Sequence, residues 1–359
     1  MEGLSGIVHP IKDDPFWMLR GTRGTNFMAG LRNLWKRLDW LFVLVLSWII
    51  PLGFFDLWKV SYFSTLLFWV IPILYLFPVF LHSTGHRSDN SSRKAFWLTV
   101  LEMTFMGLVL DCLFGHYTFK FGPDSLYLGV FLPAVGNLRV PIEELFFYFV
   151  APFNFILVYF WCDYKWLSLD EGRIQRPKVG PSALLGFSGK GLAYALALIL
   201  LGSLLKAYWG GVGGILPAYF TFLVAAAYVP AILLYQSLQD LVNWQALSMT
   251  SLYVLGTSVI YEPSLAIPKH WWGYQASGMM GKMFKSWSDD PQWPFPLEAI
   301  LVWVVAPFSC IFMYEAARAF FNHPNPSTMG RLFPGSRAAY QPNRSPGRKP
   351  VPPIPGRNR

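Results

Sequence analysis

Long apolar runs separated by short polar segments fill the sequence between residues 40 and 315. Eight of these runs approach the roughly 20 residues that a helix needs to cross a bilayer. The pattern therefore predicts an all-α polytopic membrane protein. We expect membrane helices at residues 40–57, 60–82, 95–114, 141–162, 188–206, 214–235, 241–261 and 296–315.

Composition supports a membrane setting, because 54% of the residues are hydrophobic and only 14% are charged. Soluble domains carry about 25% charged residues. The formal net charge of +9 does not indicate nucleic-acid binding, since the basic residues concentrate in the segments outside the apolar runs. Residues 1–39 form a basic lead-in in which an interfacial helix is plausible, and residues 316–359 form a basic tail, rich in Pro and Gly, that we expect to be disordered.

The basic residues are also distributed unevenly between the two sides of the membrane. With eight crossings, 22 of the 29 Lys and Arg residues lie on the side that holds both termini, and 7 lie on the other side. The positive-inside rule then places both termini in the cytoplasm. In a eukaryotic cell, we expect the membrane to be that of the endoplasmic reticulum.

Two segments of the chain begin alike, with a proline and then a glutamate ahead of an apolar run. Aligning residues 141–160 with 296–315 leaves 8 identical positions, including Val150-Ala151-Pro152-Phe153 against Val305-Ala306-Pro307-Phe308. We therefore expect a doubled unit of four helices plus four, in the same orientation, related by an axis along the membrane normal. The repeats are residues 40–162 and 188–315, joined by a cytoplasmic linker at 163–187.

The acids at the heads of these two helices are the first candidates for chemistry. Glu143, Glu144 and Glu298 suit the positive end of a helix dipole, which is a purely structural explanation. An ionisable side chain within a membrane segment is, however, a functional hypothesis by default. Upstream, Asp111 and Glu262 close the third helix of each predicted half, and either is equally well explained as a solvated helix-end carboxylate.

Further candidates lie close to these acids. Glu102 lies near the middle of the third predicted helix, as a hydrogen-bond partner or a second acid, and His116 and His270 are loop residues or proton shuttles. Aromatic faces stabilise cations at short range, so a dense aromatic wall can hold a carbocation. The candidate aromatic lining residues are Tyr117, Phe147, Tyr148, Trp271, Trp272 and Tyr274.

At these residues the sequence resembles the fused form of the heterodimer-type lycopene cyclases and the related fungal and bacterial membrane terpene cyclases. That family has two membrane repeats, each with a Pro-x-Glu-Glu signature at the head of its last helix. The run Pro141-Ile142-Glu143-Glu144-Leu145-Phe146-Phe147 matches the signature in full, and Asp111 resembles the family's upstream acid. The second repeat departs from it, because Ala299 stands where a second acid is expected. The resemblance covers roughly residues 60–315.

The resemblance implies cyclisation of a linear polyene without net redox change, started by protonation of an alkene. It implies Glu143 or Glu144 as proton donor and Glu298 or Asp111 as partner or base, with no cofactor and no metal. The expected partners are a hydrophobic isoprenoid substrate and membrane lipid, without nucleic acid. The single complete acid pair favours a one-ended substrate, such as a farnesylated meroterpenoid precursor, while lycopene is the alternative.

Other classes of protein remain open from the sequence. Acids on membrane repeats also suit a proton-coupled transporter, and a lipid-binding membrane protein is a related alternative. A magnesium-dependent prenyltransferase needs an Asp-rich cluster, and Asp289-Asp290-Pro291 lacks a third acid at helical spacing. A nicotinamide- or flavin-dependent cyclase is disfavoured, because no strand-bounded G-x-G-x-x-G segment occurs.

Overall fold

The structure, a computed structural model, is mostly helical in the parts of the chain that it describes. These parts are residue 48 and residues 62–86, 90–163, 189–239, 241–284, 293 and 295–321. The predicted lead-in, most of the predicted helix at 40–57, nearly all of the linker and most of the tail lie outside the described residues.

Ten α-helices and three π-helical segments make up the described core. Each π-helical segment directly continues an α-helix. The α-helices are α1 (Tyr62–Thr65), α2 (Leu67–His86), α3 (Asn90–Val109), α4 (Gly115–Thr118), α5 (Glu143–Trp161), α6 (Gly189–Tyr208), α7 (Ala218–Leu223), α8 (Val229–Leu238), α9 (Trp244–Tyr261) and α10 (Leu297–Phe321). The π-helical segments are π1 (Leu110–Phe114), π2 (Val224–Tyr228) and π3 (Glu262–Ala266).

Among the described residues, five helical stretches are long and apolar enough to cross a bilayer, which fits an all-α integral membrane protein. A sixth, Phe68–His82, is apolar but shorter. The segment predicted at 241–261 forms helix α9, but α9 is not one of these five stretches. Helix α9 buries the polar side chains of Thr250, Thr257 and Ser258. The five are Asn90–Thr118, Glu143–Trp161, Gly189–Tyr208, Ala218–Tyr235 and Leu297–Phe321.

Helices α5 and α10 form the centre of the described structure and contact each other. Helix α5 also packs on α2, α3 and α9, while α10 packs on α3, α8, α9 and π2. These are the two acid-headed helices that the sequence pattern singled out. The side chains of Glu143 and Glu298, in their first turns, are fully buried and do not face outward.

Short strand pairs precede both central helices, where the sequence pattern predicted helix. Strand β2 (Phe131–Leu132) pairs with β3 (Val140–Pro141), and β5 (Met283–Phe284) pairs with β6 (Phe295–Pro296). The predicted starts at 141 and 296 were therefore wrong by one or two residues, because each proline belongs to a strand. A proline has no N–H to donate, so it is tolerated at the edge of a two-stranded ribbon.

A third strand pair joins the two loops that lie above the central helices. Strand β1 (Phe119–Phe121) runs antiparallel to β4 (Trp272–Tyr274), with Phe119 opposite Tyr274. The side chain of Gln275 strengthens this junction by donating to the backbone oxygens of Phe119 and His116, at 2.7 and 2.9 Å. We call the end of the helical core that these loops cover the loop end. The junction between the loops fixes the side chains at this end relative to one another.

Candidate active site

An apolar cavity lies between the central helices and is bounded by α3, α5, α7, π2 and α10. The space not filled by protein atoms amounts to about 1030 Å³, part of which is open to the surroundings. Glu144 and Phe155 both belong to its wall, and they lie roughly 16 Å apart along α5 at a rise of 1.5 Å per residue. The cavity is therefore deep enough for an extended hydrocarbon chain.

Three carboxylic side chains, Asp111, Glu144 and Glu262, line this cavity. They are 1%, 5% and 0% exposed, so each is removed from bulk water. The three come from π1, the first turn of α5, and the first residue of π3. Because a π-helical segment is wider than an α-helix and is common at functional sites, the positions of Asp111 and Glu262 are typical of residues held for a purpose other than packing.

Asp111 and Glu144 form a carboxyl pair at the loop end. Both line the same cavity and are close enough to act on each other electrostatically. The hydroxyl of Tyr62 donates to Oε1 of Glu144 at 2.6 Å, and the hydroxyl of Tyr148 donates to Oδ1 of Asp111 at 3.0 Å. Two neighbouring carboxyl groups in a dry site are unfavourable when both are ionised, so the pair is suited to retain a proton.

Glu262 forms a second acidic centre with different partners. The hydroxyl of Tyr274 donates to its Oε1 at 2.6 Å, and Nε1 of Trp303 donates to its Oε2 at 2.7 Å. Both of its oxygens thus accept a hydrogen bond, an arrangement that stabilises the carboxylate form.

Glu143 and Glu298 are buried but do not line the cavity. Oε1 of Glu143 accepts a hydrogen bond from the backbone N–H of Leu128 at 2.6 Å, and Oε1 of Glu298 accepts one from the backbone N–H of Met280. Each glutamate therefore ties the loop above its helix to the first helical turn. These two residues position the loops, and Glu144 is the acid of the Pro-x-Glu-Glu segment that reaches the cavity.

Aromatic side chains form much of the wall around the three acids. Phe147, Tyr148 and Trp272, all expected from the sequence, line the cavity. The rings of Phe147 and Trp303 lie edge to face, with centroids 6.0 Å apart. Such faces carry partial negative charge and offer no nucleophile, so they can stabilise a positive charge without capturing it.

The other sequence candidates lie outside the cavity wall. Tyr274 contacts Glu262 from behind, and Trp271 stacks on Tyr62 with centroids 6.4 Å apart. His270 stacks on Trp293 at 4.6 Å, while Tyr117 is 54% exposed. Tyr274, Trp271 and His270 therefore belong to the loops or support the acids. His116 lies in α4 and Glu102 on α3, both partly buried and away from the cavity.

Sequence analysis did not single out Trp303, Tyr62 or Tyr219. Trp303 occupies the position that aligns with Tyr148 when residue 141 is matched to residue 296, so the alignment of the two helices contained this signal. Tyr62 and Tyr219 gave none, because a tyrosine near the end of an apolar run is ordinary at a membrane surface. Their roles follow only from the packing of distant segments.

A close approach of α3 to α5 positions Tyr148. A Cβ atom at Gly107 would lie 2.2 Å from the Tyr148 ring, so only glycine allows the ring to occupy this place. Thr104, one turn earlier on α3, donates to the backbone oxygen of Tyr148 at 3.1 Å. The hydrogen bond from Tyr148 to Asp111 therefore depends on the absence of a side chain at residue 107.

Among the described residues, no group of three or more His, Cys, Asp or Glu side chains has an arrangement that would hold a metal ion. The chain was also compared with known proteins. No protein-family model, no curated protein and no solved structure matches it.

Proposed function

We propose that this protein is an integral membrane terpene cyclase that folds a lipid-soluble isoprenoid in its cavity and closes rings by acid catalysis. One observation carries the proposal: Asp111, Glu144 and Glu262 converge on a single apolar cavity with aromatic walls. Buried carboxyl groups beside a space suited to hydrocarbon are costly to maintain without a purpose. The sequence resemblance to membrane terpene cyclases agrees with this chemistry.

The carboxyl pair is the proposed proton donor. The proton held between Asp111 and Glu144 passes to one carbon of a substrate alkene, whose π electrons form the new C–H bond. The anion left on the pair is stabilised by the hydroxyl groups of Tyr62 and Tyr148. Exclusion of bulk water from the buried acids limits capture of the resulting cation by solvent.

Ring closure and loss of a proton complete the reaction. The next alkene of the chain attacks the tertiary cation and forms a carbon–carbon bond, while the aromatic faces stabilise the charge. The final cation loses a proton to Glu262, whose two oxygens are held as acceptors by Tyr274 and Trp303. One proton enters and one leaves, so the product is an isomer of the substrate.

The same proposal includes a repeated architecture of eight spans. Apart from the short helix α4, which follows π1 and has no counterpart after π3, the next elements occur in the same order: a strand, a single 3₁₀ turn, a two-stranded pair and a long helix. Tyr148 and Trp303, which are equivalent in the sequence alignment, each donate to the acid of their own half. We propose that the chain forms two parallel four-helix units and that both termini lie in the cytoplasm. In a eukaryote, we propose that the protein resides in the endoplasmic reticulum membrane.

The favoured substrate carries a single reacting end, as in a farnesylated meroterpenoid precursor, because Ala299 leaves the second half without a carboxyl pair. Lycopene is the alternative, and one of its ends would enter while the rest of the chain extends through the open part of the cavity. A proton-coupled transporter or a lipid-binding protein would use the same cavity without changing its ligand.

Product analysis tests the proposed function. Membranes that contain the protein are incubated with farnesylated phenols and with lycopene, without added metal or redox cofactor. We expect conversion of one of them to a cyclic isomer of unchanged mass. Counterflow of a solute without conversion would replace the proposal by transport, and a requirement for magnesium would replace it by prenyl transfer.

A further inference from the structure

The polar and apolar groups of the cavity wall are separated along its length. The carboxyl groups and the tyrosine hydroxyls lie at the loop end, where π1, π3 and the first turns of α5 and α7 meet. The far end is lined by groups such as Met103, Phe155, Ala226 and Ala306. A ligand that fits such a cavity has one polar end and one hydrocarbon end.

Two hydrogen-bond donors at the loop end have no partner among the described residues. Tyr219 lines the cavity and is only 3% exposed, and its hydroxyl makes no hydrogen bond to any residue in the described part of the chain. Trp272 also lines the cavity, and its buried Nε1 likewise lacks a partner among the described residues. Buried polar groups are almost always hydrogen-bonded, so each of these exceptions needs an explanation.

The two donors belong to one aromatic cluster, which consists of Phe119, Tyr219, Trp272 and Tyr274. The ring of Phe119 lies 5.3 Å from that of Tyr219 and 6.1 Å from that of Trp272, measured between centroids. Tyr274 contacts both Tyr219 and Trp272, at 5.9 and 5.2 Å. This packing holds the two rings in place, so their donors are fixed before any ligand binds.

The other polar groups nearby do not compete for these donors. The Tyr274 hydroxyl is already used by Glu262, and the Tyr148 hydroxyl by Asp111. The carboxyl groups of Glu262 and Asp111 act electrostatically on Tyr219 without bonding to its hydroxyl. The Tyr219 and Trp272 donors are therefore left for an acceptor atom that no described residue supplies.

We infer that Tyr219 and Trp272 bind an oxygen atom of the substrate, which makes them the residues that select an oxygenated isoprenoid over a pure hydrocarbon. This inference rests on the proposed function and assigns the substrate class of the same site. The acceptor is a hydroxyl, ether, epoxide or carbonyl oxygen, seated beside the acids. The isoprenoid chain runs into the cavity between α3, α5, π2 and α10 and folds back, so that its reacting alkene reaches the carboxyl pair.

The test compares wild-type protein with Tyr219→Phe, which removes only the hydroxyl and keeps the ring contacts. Two ligands are used: a farnesylated phenol and the hydrocarbon of the same chain length that lacks oxygen. Binding is followed by quenching of tryptophan fluorescence in purified protein, and conversion is followed by product analysis. Tyr117→Phe is the matched control, because Tyr117 is exposed and lies outside the cavity wall.

We expect wild-type protein to bind the farnesylated phenol more tightly than the hydrocarbon, and Tyr219→Phe to weaken only the oxygenated ligand, by about tenfold. Tyr117→Phe should bind both ligands like the wild type. Equal binding of the two ligands by wild-type protein, or an equal change for both in Tyr219→Phe, would overturn the inference.

The two proposals fail separately. Binding of the phenol that depends on Tyr219, without any cyclic product, would keep the oxygen site and reject the cyclase. Conversion of the hydrocarbon at the same rate as the phenol, unaffected by Tyr219→Phe, would keep the cyclase and reject the oxygen site.

Discussion

The two acidic centres of the cavity differ in how their carboxyl groups are satisfied. In the first, Asp111 and Glu144 are electrostatic neighbours and each accepts one tyrosine hydroxyl. In the second, Glu262 stands alone between two donors, Tyr274 and Trp303. A pair of acids retains a proton, whereas a single carboxyl surrounded by donors is suited to carry charge. Under the proposed function, the first centre donates the proton and the second accepts it.

The sequence difference behind this comparison is a single position. Glu144 aligns with Ala299, and Ala299 is fully buried at the start of α10. Without a second acid there, Glu262 takes its hydrogen bonds from aromatic side chains. In the proposed doubled scaffold, one residue thus makes the two halves unlike, and this difference gives the proposed proton transfer its direction.

The largest effect is expected from Glu144→Gln, which removes the acid of the pair but keeps its size. Turnover should fall by about 10²–10⁴-fold, the usual contribution of a positioned acid. Glu143→Gln is the matched control, since Glu143 is the neighbouring glutamate and does not line the cavity. Its amide oxygen can still accept from Leu128, so turnover should fall by less than tenfold. Equal losses of turnover in the two variants, measured per folded protein, would contradict the different roles given to Glu144 and Glu143.

A smaller but still large effect is expected from Gly107→Ala, which places a methyl group where the Tyr148 ring lies. Overpacking of this kind typically costs about 1–3 kcal/mol. The melting temperature should fall, and turnover should fall with it because Tyr148 moves away from Asp111. Gly189→Ala is the control, because a Cβ atom there meets nothing within 4 Å. Unchanged turnover in Gly107→Ala would show that the position of Tyr148 does not matter.

Loss of one hydrogen bond from each centre should compare them directly. Tyr148→Phe removes the donor to Asp111, and Trp303→Phe removes the donor to Glu262. Each hydrogen bond to a charged group contributes about 1.5–3 kcal/mol, so turnover should fall by roughly 10–150-fold in Tyr148→Phe, where the anion forms as the proton leaves. The loss should be smaller in Trp303→Phe, because the proposed carboxylate of Glu262 is already charged before it accepts the proton. A larger loss in Trp303→Phe than in Tyr148→Phe, measured per folded protein, would exchange the two roles.

Much of the helical layout could be predicted from the sequence, because long apolar runs leave the backbone few options in a bilayer. Helices α5, α6 and α10 lie where the apolar runs predicted them, within a few residues at their starts. The strands at Pro141 and Pro296 could not be predicted, because each depends on pairing with a loop segment more distant in the chain.

The acids of the site could be predicted as a set but not by role. The sequence pattern did not distinguish Glu143 from Glu144. In the structure, Glu143 accepts a hydrogen bond from the loop at Leu128, whereas Glu144 lines the cavity. Tyr62, Tyr219 and Trp303 become partners or wall residues through contacts between segments far apart in the chain. Such contacts leave no periodic signal in the sequence.

The most direct test of the central claim follows a proton from the carboxyl pair into the product. The protein is equilibrated in deuterium oxide and supplied with the substrate that it converts, and the product is analysed by mass spectrometry. The account predicts a product that is one mass unit heavier than in ordinary water, with one deuterium at the carbon that takes up the proton, and negligible product from Glu144→Gln. A cyclic product without deuterium, or full activity in Glu144→Gln, would contradict it.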